Sequence, residues 1–216
     1  DESHMPSLFE GSDITGHVKN TLAEKWGLPN NTPIIAGGGD NAAGAVGVGL
    51  IHPGQGMLSL GTSGVYFVVS DAYSAEPNKA VHSFCHALPE RWHLMSVLLS
   101  AASCLQWFAD TIVEQNIGSL MSELEHATIE EDSPYFLPYL SGERTPHNDP
   151  HAKGAFFGLS HSTSKLSMLH SVLEGVSFAF ADGVDALHAS GTVANDVTLI
   201  GGGTKSEYWR QMLSDI

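Results

Sequence analysis

The stretch 34–50, IIAGGGDNAAGAVGVGL, decides the fold, because an apolar run, a glycine turn and a run of small residues follow one another in it. The apolar run predicts a short strand, and the small residues predict a helix packed close to its neighbours. Between them stand three glycines and Asp40. A glycine turn that opens a helix presents backbone N–H groups to anions, so a carboxylate there is unexpected. Asp40 is therefore either a helix cap or a group that acts beside a bound phosphate.

Hydrophobic spacing and turn residues predict further elements on both sides of this stretch. The predicted elements are a helix at 13–27, a strand at 33–36, a hairpin at 56–70 around GTSG, a second hairpin at 81–88 and 91–97, helices at 99–115, 120–126 and 165–189, a buried strand at 197–203 and a helix from about 206. Hairpins followed by helix, strand and helix predict an α/β domain with a mixed sheet covered by helices. Glycines follow Ala36, Leu60 and Ile200 at three predicted strand ends, where α/β sheets bind ligands.

Composition and charge narrow the function classes. The chain has 216 residues, 42% of them apolar, as in globular proteins that bury a core. Nine Lys and Arg stand against 24 Asp and Glu, and the net charge of −15 argues against nucleic acid or an anionic membrane as partner. Cys85 and Cys104 are too few for a disulfide framework, and no signal-like start is present, so we expect a cytoplasmic protein. The missing initial Met and the helical pattern at the last residues predict a piece of a longer protein.

Two common nucleotide motifs fit the sequence poorly. GGGTKS at 201–206 lacks the last glycine of a Walker loop. GGGDNA at 37–42 spells the dinucleotide turn G-x-G-x-x-A, which needs an acid about 20 residues further on to hold the ribose. The first acid after Asp40 is Asp71, beyond a predicted hairpin, so this motif is weak.

A third arrangement places several glycine turns around one nucleotide, and the LGTSG hairpin has the residues for it. Gly61 and Gly64 allow the backbone to approach a phosphate, while Thr62 and Ser63 add hydrogen-bond donors without charge. A purely structural tight turn would look similar, so both interpretations stay open on this motif alone. GGGTKS could likewise seat an adenosine while Ser206 caps the next helix, or it could be a plain strand-to-helix turn.

A cluster of possible metal ligands has a plainer interpretation. His82, His86 and His93 lie near Cys85 in the second predicted hairpin. Strand alternation places His82 and His86 on one face and points Cys85 away, and the sequence has no C-x-x-C partner. The sequence therefore predicts no metal site here.

The SGERTPHN segment at 141–148 contains the neighbouring opposite charges Glu143 and Arg144. These side chains could close over a substrate. They could equally hold a proline-rich loop together by an ion pair, and the sequence leaves both possibilities open.

The motifs GGGDN, LSLGTSG, VHSFCHALPERWHLMSVLLSAASCL, LPYLSGERTPHNDPHAKG and LIGGGTKSEYWRQMLSDI occur in an order that resembles the C-terminal half of the FGGY sugar kinases. The HSFCHALP and SGERTPHN stretches are distinctive of the xylulose kinases in that family rather than of the glycerol kinases. Ser167 departs from the second family signature, which spans 154–174, but it lies away from the catalytic motif. The resemblance covers nearly the whole chain.

This resemblance implies an actin-like ATPase (ribonuclease H-like) architecture, with ATP and sugar between two domains. Residues 1–32 would be the tail of the N-terminal domain and the interdomain connection, and residues 33–216 would be a truncated C-terminal domain. By match to the family motifs, Asp40 is the catalytic base and Asn41 a sugar neighbour. The nucleotide-binding residues implied in the same way are Gly61, Thr62, Ser63, Gly202, Gly203 and Ser206.

The reaction implied is transfer of phosphate from ATP, with Mg²⁺, to D-xylulose, which gives D-xylulose 5-phosphate. Partners would be these small molecules and a second copy in a full-length homodimer, with neither nucleic acid nor membrane. The rivals are a non-catalytic actin-like nucleotide-binding domain and an FGGY kinase for another pentulose or polyol. A pure binder needs no carboxylate at Asp40, which argues against the first rival. The isolated chain is expected to be inactive.

Overall fold

A computed structural model of the chain describes residues 2–129 and 133–216. Its strands are β1 (Ile14–His17), β2 (Pro33–Ile35), β3 (Gln55–Leu60), β4 (Gly64–Ser70), β5 (His82–Cys85), β6 (Trp92–Leu98), β7 (Tyr135–Leu137), β8 (Ala155–Phe157) and β9 (Asp196–Ile200). Its α-helices are α1 (Asn20–Trp26), α2 (Asp40–Gly47), α3 (Ala102–Trp107), α4 (Ile117–Glu125), α5 (Lys165–His188) and α6 (Glu207–Asp215). A π-helical turn (Phe108–Ile112) follows α3, and 3₁₀ turns occur at Glu2–His4, Pro77–Lys79 and Gly202–Lys205.

The central sheet of the described residues has the strand order β5-β6-β4-β3-β9. The β3–β4, β4–β6 and β5–β6 pairs are antiparallel, and β9 lies parallel to β3. Both predicted hairpins are thus confirmed, and GTSG joins β3 to β4 as expected. The mixed sheet confirms the α/β class.

Alternating side chains give this sheet two buried faces. On one face Leu58 and Leu60 pack with Leu98 and the long helix α5 in the largest apolar cluster. On the opposite face Met57 and Phe67 pack with α2 through its fully buried Ala45. Because strand neighbours point to opposite sides, a single strand such as β3 serves both cores. The sheet is therefore covered by helices on both faces. The packing of α2 on its face holds the first residues of that helix close to the β3–β4 turn.

The C-terminal helix is anchored by a buried tryptophan. The indole nitrogen of Trp209 donates to the Leu173 carbonyl and lies 3.2 Å from the Ser177 hydroxyl on α5. Ser206 stands at the N-cap of α6, where its hydroxyl accepts the Trp209 N–H at 3.2 Å. The predicted capping role of Ser206 is therefore confirmed.

Two sequence expectations are wrong at the ends of the chain. The helix predicted at 13–27 is a strand followed by a shorter helix, because residues 14–17 pair with β2. The strand predicted as buried at 197–203 is β9, which is mostly exposed, since it is the edge strand of the described sheet and lacks a neighbour on one side.

Two further differences concern the middle of the chain. The helix predicted at 99–115 breaks after Trp107 into the π-helical turn, which rotates Ile112 away from the core and leaves it 46% exposed, whereas Phe108 is fully buried. Between α4 and α5, where no strand was predicted, lies the short antiparallel pair β7–β8, whose Phe136 and Phe156 rings pack with centroids 4.7 Å apart. Sequence spacing missed this pair because each strand has three residues.

No helix in the described ranges is long and apolar enough to cross a membrane.

Candidate active site

Asp40 is held at the first residue of α2 by a packed glycine turn. Gly37 has a φ of +78°, which non-glycine residues rarely adopt, and its N–H donates to the Gly11 carbonyl at 2.9 Å. A Cβ atom on Gly38 would lie 2.7 Å from the Ala87 Cβ in the β5–β6 connection. The turn that positions Asp40 is thus held by Gly11 on one side and by Ala87 on the other.

The carboxylate of Asp40 is exposed and engages its neighbour Asn41. One oxygen accepts the Asn41 backbone N–H at 2.8 Å and the Asn41 side-chain amide at 3.3 Å. The N-cap position belongs to Gly39, and no side chain caps this helix end. Asp40 is therefore not the N-cap residue, although it accepts the Asn41 N–H within the first turn, and its exposed carboxylate can meet a ligand.

A cleft of about 710 Å³ opens beside this pair. Its polar lining consists of Asp40, Asn41, Ser63, His82, His93 and Arg144. The cleft brings together the start of α2, the β3–β4 turn, strands β5 and β6 and the SGERTPHN loop. Three of the sequence-predicted site residues, namely Asp40, Asn41 and Ser63, share it.

The β3–β4 turn is braced by the start of α3. The N–H groups of Ala101 and Ser103 donate to the Thr62 carbonyl at 3.0 and 3.2 Å, and the Ala102 N–H donates to the Gly61 carbonyl at 2.9 Å. In a planar trans peptide the C=O and the next N–H point in opposite directions. The N–H groups of Thr62 and Ser63 therefore point away from α3, as donors in an anion-binding turn must.

A second cleft, also of about 710 Å³, lies on the other side of this turn. Its lining includes Gly61, Thr62, Gly202 and Gly203, so the two glycine motifs predicted to bind nucleotide meet in one cavity. Residues of α3 and the following turn complete it, among them Gln106, Trp107 and Asp110. Ser206 does not line either of these clefts and serves α6 instead.

The glycines of these motifs serve different purposes. A Cβ on Gly64 would lie 2.5 Å from the Phe180 ring, and one on Gly203 would lie 2.5 Å from the Leu60 side chain, so internal packing explains both. A Cβ on Gly202 would meet nothing within 4 Å, and one on Gly61 would meet only the Ser63 carbonyl at 3.4 Å. Gly61 and Gly202 thus face open space beside the second cleft, where a ligand can approach the backbone.

Glu143 and Arg144 point in different directions. Glu143 is 2% exposed, and one of its oxygens accepts the N–H groups of Leu99 at 2.9 Å and Arg144 at 2.7 Å. The Arg144 guanidinium instead lies 3.5 Å from the His82 Nε2 in the Asp40 cleft. No salt bridge joins the two side chains in the described part of the chain, so the loop is not held by the ion pair that the sequence left open.

Burial sets the charge state of several groups around this cleft. Burial, together with the neighbouring His86, lowers the pKa of His93 to about 4. Burial and then the Arg144 charge lower the pKa of His82. Burial raises the pKa of Glu143, although backbone hydrogen bonds from Arg144 and Leu99 oppose the rise. The histidines of the cleft are accordingly neutral near pH 7 and leave Arg144 as its cation.

The histidines and the cysteine of the second hairpin do not form a metal-binding group. In the described ranges no group of three or more His, Cys, Asp or Glu side chains is arranged to hold a metal ion. The histidine rings pack against phenylalanines instead. His93 stacks on Phe67 with ring centroids 4.4 Å apart, and His82 stacks on Phe84, which also lies against His93.

Several residues of the clefts were not selected from the sequence. Trp107 and Asp110 lie within the helix predicted at 99–115, where nothing in the sequence distinguishes them, and the sequence marks His82 and His93 only as possible zinc ligands. Their grouping depends on strand pairing between distant segments, because Arg144 reaches His82 across 62 residues. The sequence marks Arg144 as a charged loop residue but does not show that it points toward His82.

Comparison with known proteins agrees with this geometry. The C-terminal domain of the FGGY family of carbohydrate kinases matches residues 56–216, and the N-terminal domain of that family matches residues 1–47. The xylulose kinase of Escherichia coli (strain K12) is 58% identical over 98% of this chain, which covers 44% of that protein. The xylulose kinase of Klebsiella pneumoniae is 54% identical with the same coverage of 98% and 44%. The chain thus spans less than half the length of these relatives.

Solved structures give the same result at the level of fold. A structure described as a xyloylose kinase from Brucella ovis superposes with a TM-score of 0.91 at 46% identity, covering 99% of this chain and 44% of that one. The ligand-bound xylulose kinase from Lactobacillus acidophilus has a TM-score of 0.89 at 25% identity, with 100% and 44% covered. These neighbours confirm the actin-like ATPase fold that the sequence motifs implied. The chain belongs to the FGGY family of carbohydrate kinases.

Proposed function

We propose that the protein containing this chain transfers the γ-phosphoryl group of ATP to D-xylulose and forms D-xylulose 5-phosphate and ADP. The observation that carries the proposal is the exposed Asp40–Asn41 pair, which opens into a cleft beside the β3–β4 turn. The substrate is taken from the relatives that match 98% of the chain and are named xylulose kinases.

In the proposed reaction the Asp40 carboxylate accepts the proton of the attacking sugar hydroxyl. The hydroxyl oxygen forms a bond to the γ-phosphorus, the bond from that phosphorus to the β–γ bridging oxygen breaks, and ADP leaves. Asn41, whose amide lies 3.3 Å from the Asp40 carboxylate, would bind the sugar. A carboxylate that orients a hydroxyl and takes its proton is the main chemical group this reaction needs from a protein.

The nucleotide is proposed to lie in the second cleft, with its phosphates at the β3–β4 turn. Gly61, Thr62 and Ser63 would bind phosphate through the N–H groups that α3 leaves free, and Gly202 and Gly203 would lie under the adenosine. Ser206 would act indirectly by fixing the start of α6. The turn separates the two clefts, so the γ-phosphate at its tip would face Asp40.

Mg²⁺ is proposed as the companion of ATP. This ion is commonly held by substrate phosphates and water with few protein ligands, so the ATP phosphates would supply most of its ligands. The ion would neutralise phosphate charge next to the Asp40 carboxylate. A carboxylate beside an anion-binding turn would then be tolerated.

The proposal also covers the domain limits, the compartment and the oligomeric state of the full-length protein. Residues 1–32 would belong to the N-terminal domain and the interdomain connection, and residues 33–216 to the C-terminal domain. The two free cysteines, exposed Cys85 and buried Cys104, suit a reducing cytoplasm. A homodimer is proposed for the full-length enzyme.

The test is a panel of pentuloses, hexuloses and polyols assayed for ADP release with Mg-ATP on the full-length enzyme. D-Xylulose should give the highest kcat/KM, and the product should be the 5-phosphate by NMR. A higher kcat/KM for another sugar would assign a different FGGY activity. ATP binding without phosphate transfer to any acceptor would point to a non-catalytic nucleotide-binding protein.

A further inference from the structure

Arg144 is the cation of the Asp40 cleft, and its position is fixed by its neighbours in the chain. Glu143 is 2% and Thr145 1% exposed, so the residues on either side of Arg144 are buried. Glu143 accepts the Leu99 N–H, while Thr145 accepts the Val97 N–H at 3.1 Å and donates to the Ala80 carbonyl at 3.0 Å. A flexible surface arginine would not be clamped in this way on both sides.

His82 holds the Arg144 guanidinium from the other end. The lone pair of a neutral imidazole Nε2 accepts from the Arg144 Nη1 at 3.5 Å, and the His82 ring stacks on Phe84 at 5.7 Å. The lowered pKa of His82 keeps that nitrogen available as an acceptor at neutral pH. His82 therefore orients Arg144 without neutralising its charge.

The Arg144 charge has no carboxylate partner in the part of the chain that the structure describes. Among the Lys and Arg side chains of the described ranges only Lys165 forms a salt bridge, so the missing acid alone does not single out Arg144. What singles it out is its position in the lining of the Asp40 cleft. A neutral sugar has no charge for a fixed cation to match, whereas a phosphoryl group does, and guanidinium forms charge-assisted hydrogen bonds to phosphate oxygens.

We propose that Arg144, oriented by His82, binds the phosphoryl group after its transfer, that is, the 5-phosphate of the product in the Asp40 cleft. The inference rests on the proposed function, since it takes that product as the ligand. It adds a residue that recognises phosphate from the acceptor side, opposite the β3–β4 turn. Arg144 would then contribute more to product binding than to sugar binding.

The test compares the dissociation constants of D-xylulose and D-xylulose 5-phosphate by calorimetry for the full-length enzyme and its variants. Arg144→Gln should weaken binding of the 5-phosphate by roughly 10- to 100-fold, as expected when a charge-assisted hydrogen bond is lost. Its affinity for D-xylulose should change less than about twofold, which also shows that the cleft is folded. Arg144→Lys keeps the charge and should recover part of the loss.

His82 supplies the matched pair of control variants. His82→Gln retains an acceptor near the position of Nε2 and should preserve product affinity, whereas His82→Leu should weaken it in the same direction as Arg144→Gln. If Arg144→Gln weakens binding of D-xylulose and of D-xylulose 5-phosphate equally, as the loss of an interdomain ion pair would, the inference is overturned. Unchanged affinity of this variant for the 5-phosphate would also overturn it. Wild-type turnover of D-xylulose is measured first, because its absence would overturn the proposed function and this inference together.

Discussion

At the scale of the single residue, Asp40 is the proposed catalytic base. Asp40→Asn keeps the side-chain size but removes the proton acceptor, so turnover of the full-length enzyme should fall by roughly 10²- to 10⁴-fold, the usual contribution of a general base. ATP affinity should stay within about threefold, since the proposed phosphate contacts come from the β3–β4 turn. Steady-state kinetics and calorimetry with ATP would measure both.

Asp71→Asn is the matched control for this change. Asp71 is exposed and follows Ser70 at the end of β4 that lies away from the hairpin turn. This variant should retain wild-type turnover. Near-normal turnover of Asp40→Asn would remove the base assignment.

His93 makes stability depend on pH. Its pKa is lowered from 6.5 to about 4, mainly by burial, so below pH 6.5 the unfolded chain binds a proton that the folded chain does not. The free energy of unfolding should therefore fall as the pH drops from 6.5 towards 4, by on the order of 3 kcal/mol. The facing His86, whose pKa is also lowered, adds to the same trend.

Urea unfolding at several pH values would check this prediction. His93→Phe keeps the stacking on Phe67 and should flatten the acid limb of the stability profile. His151→Phe, at an exposed loop position, should leave the profile unchanged. An acid limb of equal slope in the wild type and His93→Phe would contradict the role of His93.

At the scale of the element, the β3–β4 turn contains two glycines with different roles: Gly61 leaves room for a ligand, and Gly64 leaves room for the Phe180 ring. Gly61 does not adopt a positive φ, and an added Cβ would meet only the Ser63 carbonyl at 3.4 Å, so Gly61→Ala should fold normally. We expect ATP affinity to fall by about tenfold, because the methyl group would stand where the phosphates approach the backbone. Calorimetry with Mg-ATP on the full-length enzyme measures this loss.

Gly64→Ala is the comparison in the same turn. Its methyl group would lie 2.5 Å from the Phe180 ring, so this variant should lower the unfolding midpoint. Gly61→Ala should leave the midpoint unchanged. Unchanged ATP affinity in Gly61→Ala would return the turn to a purely structural role.

The elements themselves were predictable to different degrees. The β3–β4 hairpin followed from apolar and β-branched residues around GTSG, and α5 from a long helical period, since both are local patterns. Strand β1 was taken for helix because its four residues are stabilised by pairing with β2, which no local pattern encodes. Asp40 could be selected from its turn. Arg144 could be noted as a charged loop residue, but its place in the Asp40 cleft could not be predicted, because it depends on a contact across 62 residues.

At the scale of the whole molecule, the chain covers 44% of its relatives and therefore presents surfaces that a longer protein would cover. Apolar side chains near the start are exposed, namely Leu8, Phe9, Ile14, Ile34 and Ile35. The reacting groups of an actin-like kinase come from both walls of the cleft, and closure of the two domains brings the γ-phosphate to the hydroxyl.

The isolated 216-residue chain should accordingly fold around its sheet, bind Mg-ATP weakly at best and release no ADP in response to D-xylulose. The exposed apolar side chains should promote self-association, which light scattering would detect. A coupled ADP assay on the chain and on the full-length enzyme, prepared in parallel, tests the difference. Sustained phosphorylation by the chain alone would mean that it contains every group needed to bind the sugar and transfer the phosphate.

Trp107 makes the second cleft observable by intrinsic tryptophan fluorescence. The indole lines that cleft and stacks on Phe136 at 6.0 Å, whereas Trp209 is fully buried and Trp26 is 60% exposed. A nucleotide base entering the cleft would change the surroundings of Trp107 and leave Trp209 untouched. Titration with ADP should therefore quench part of the intrinsic fluorescence, and Trp107→Phe should abolish the quenching. Nucleotide occupancy can then be followed in real time without an attached dye.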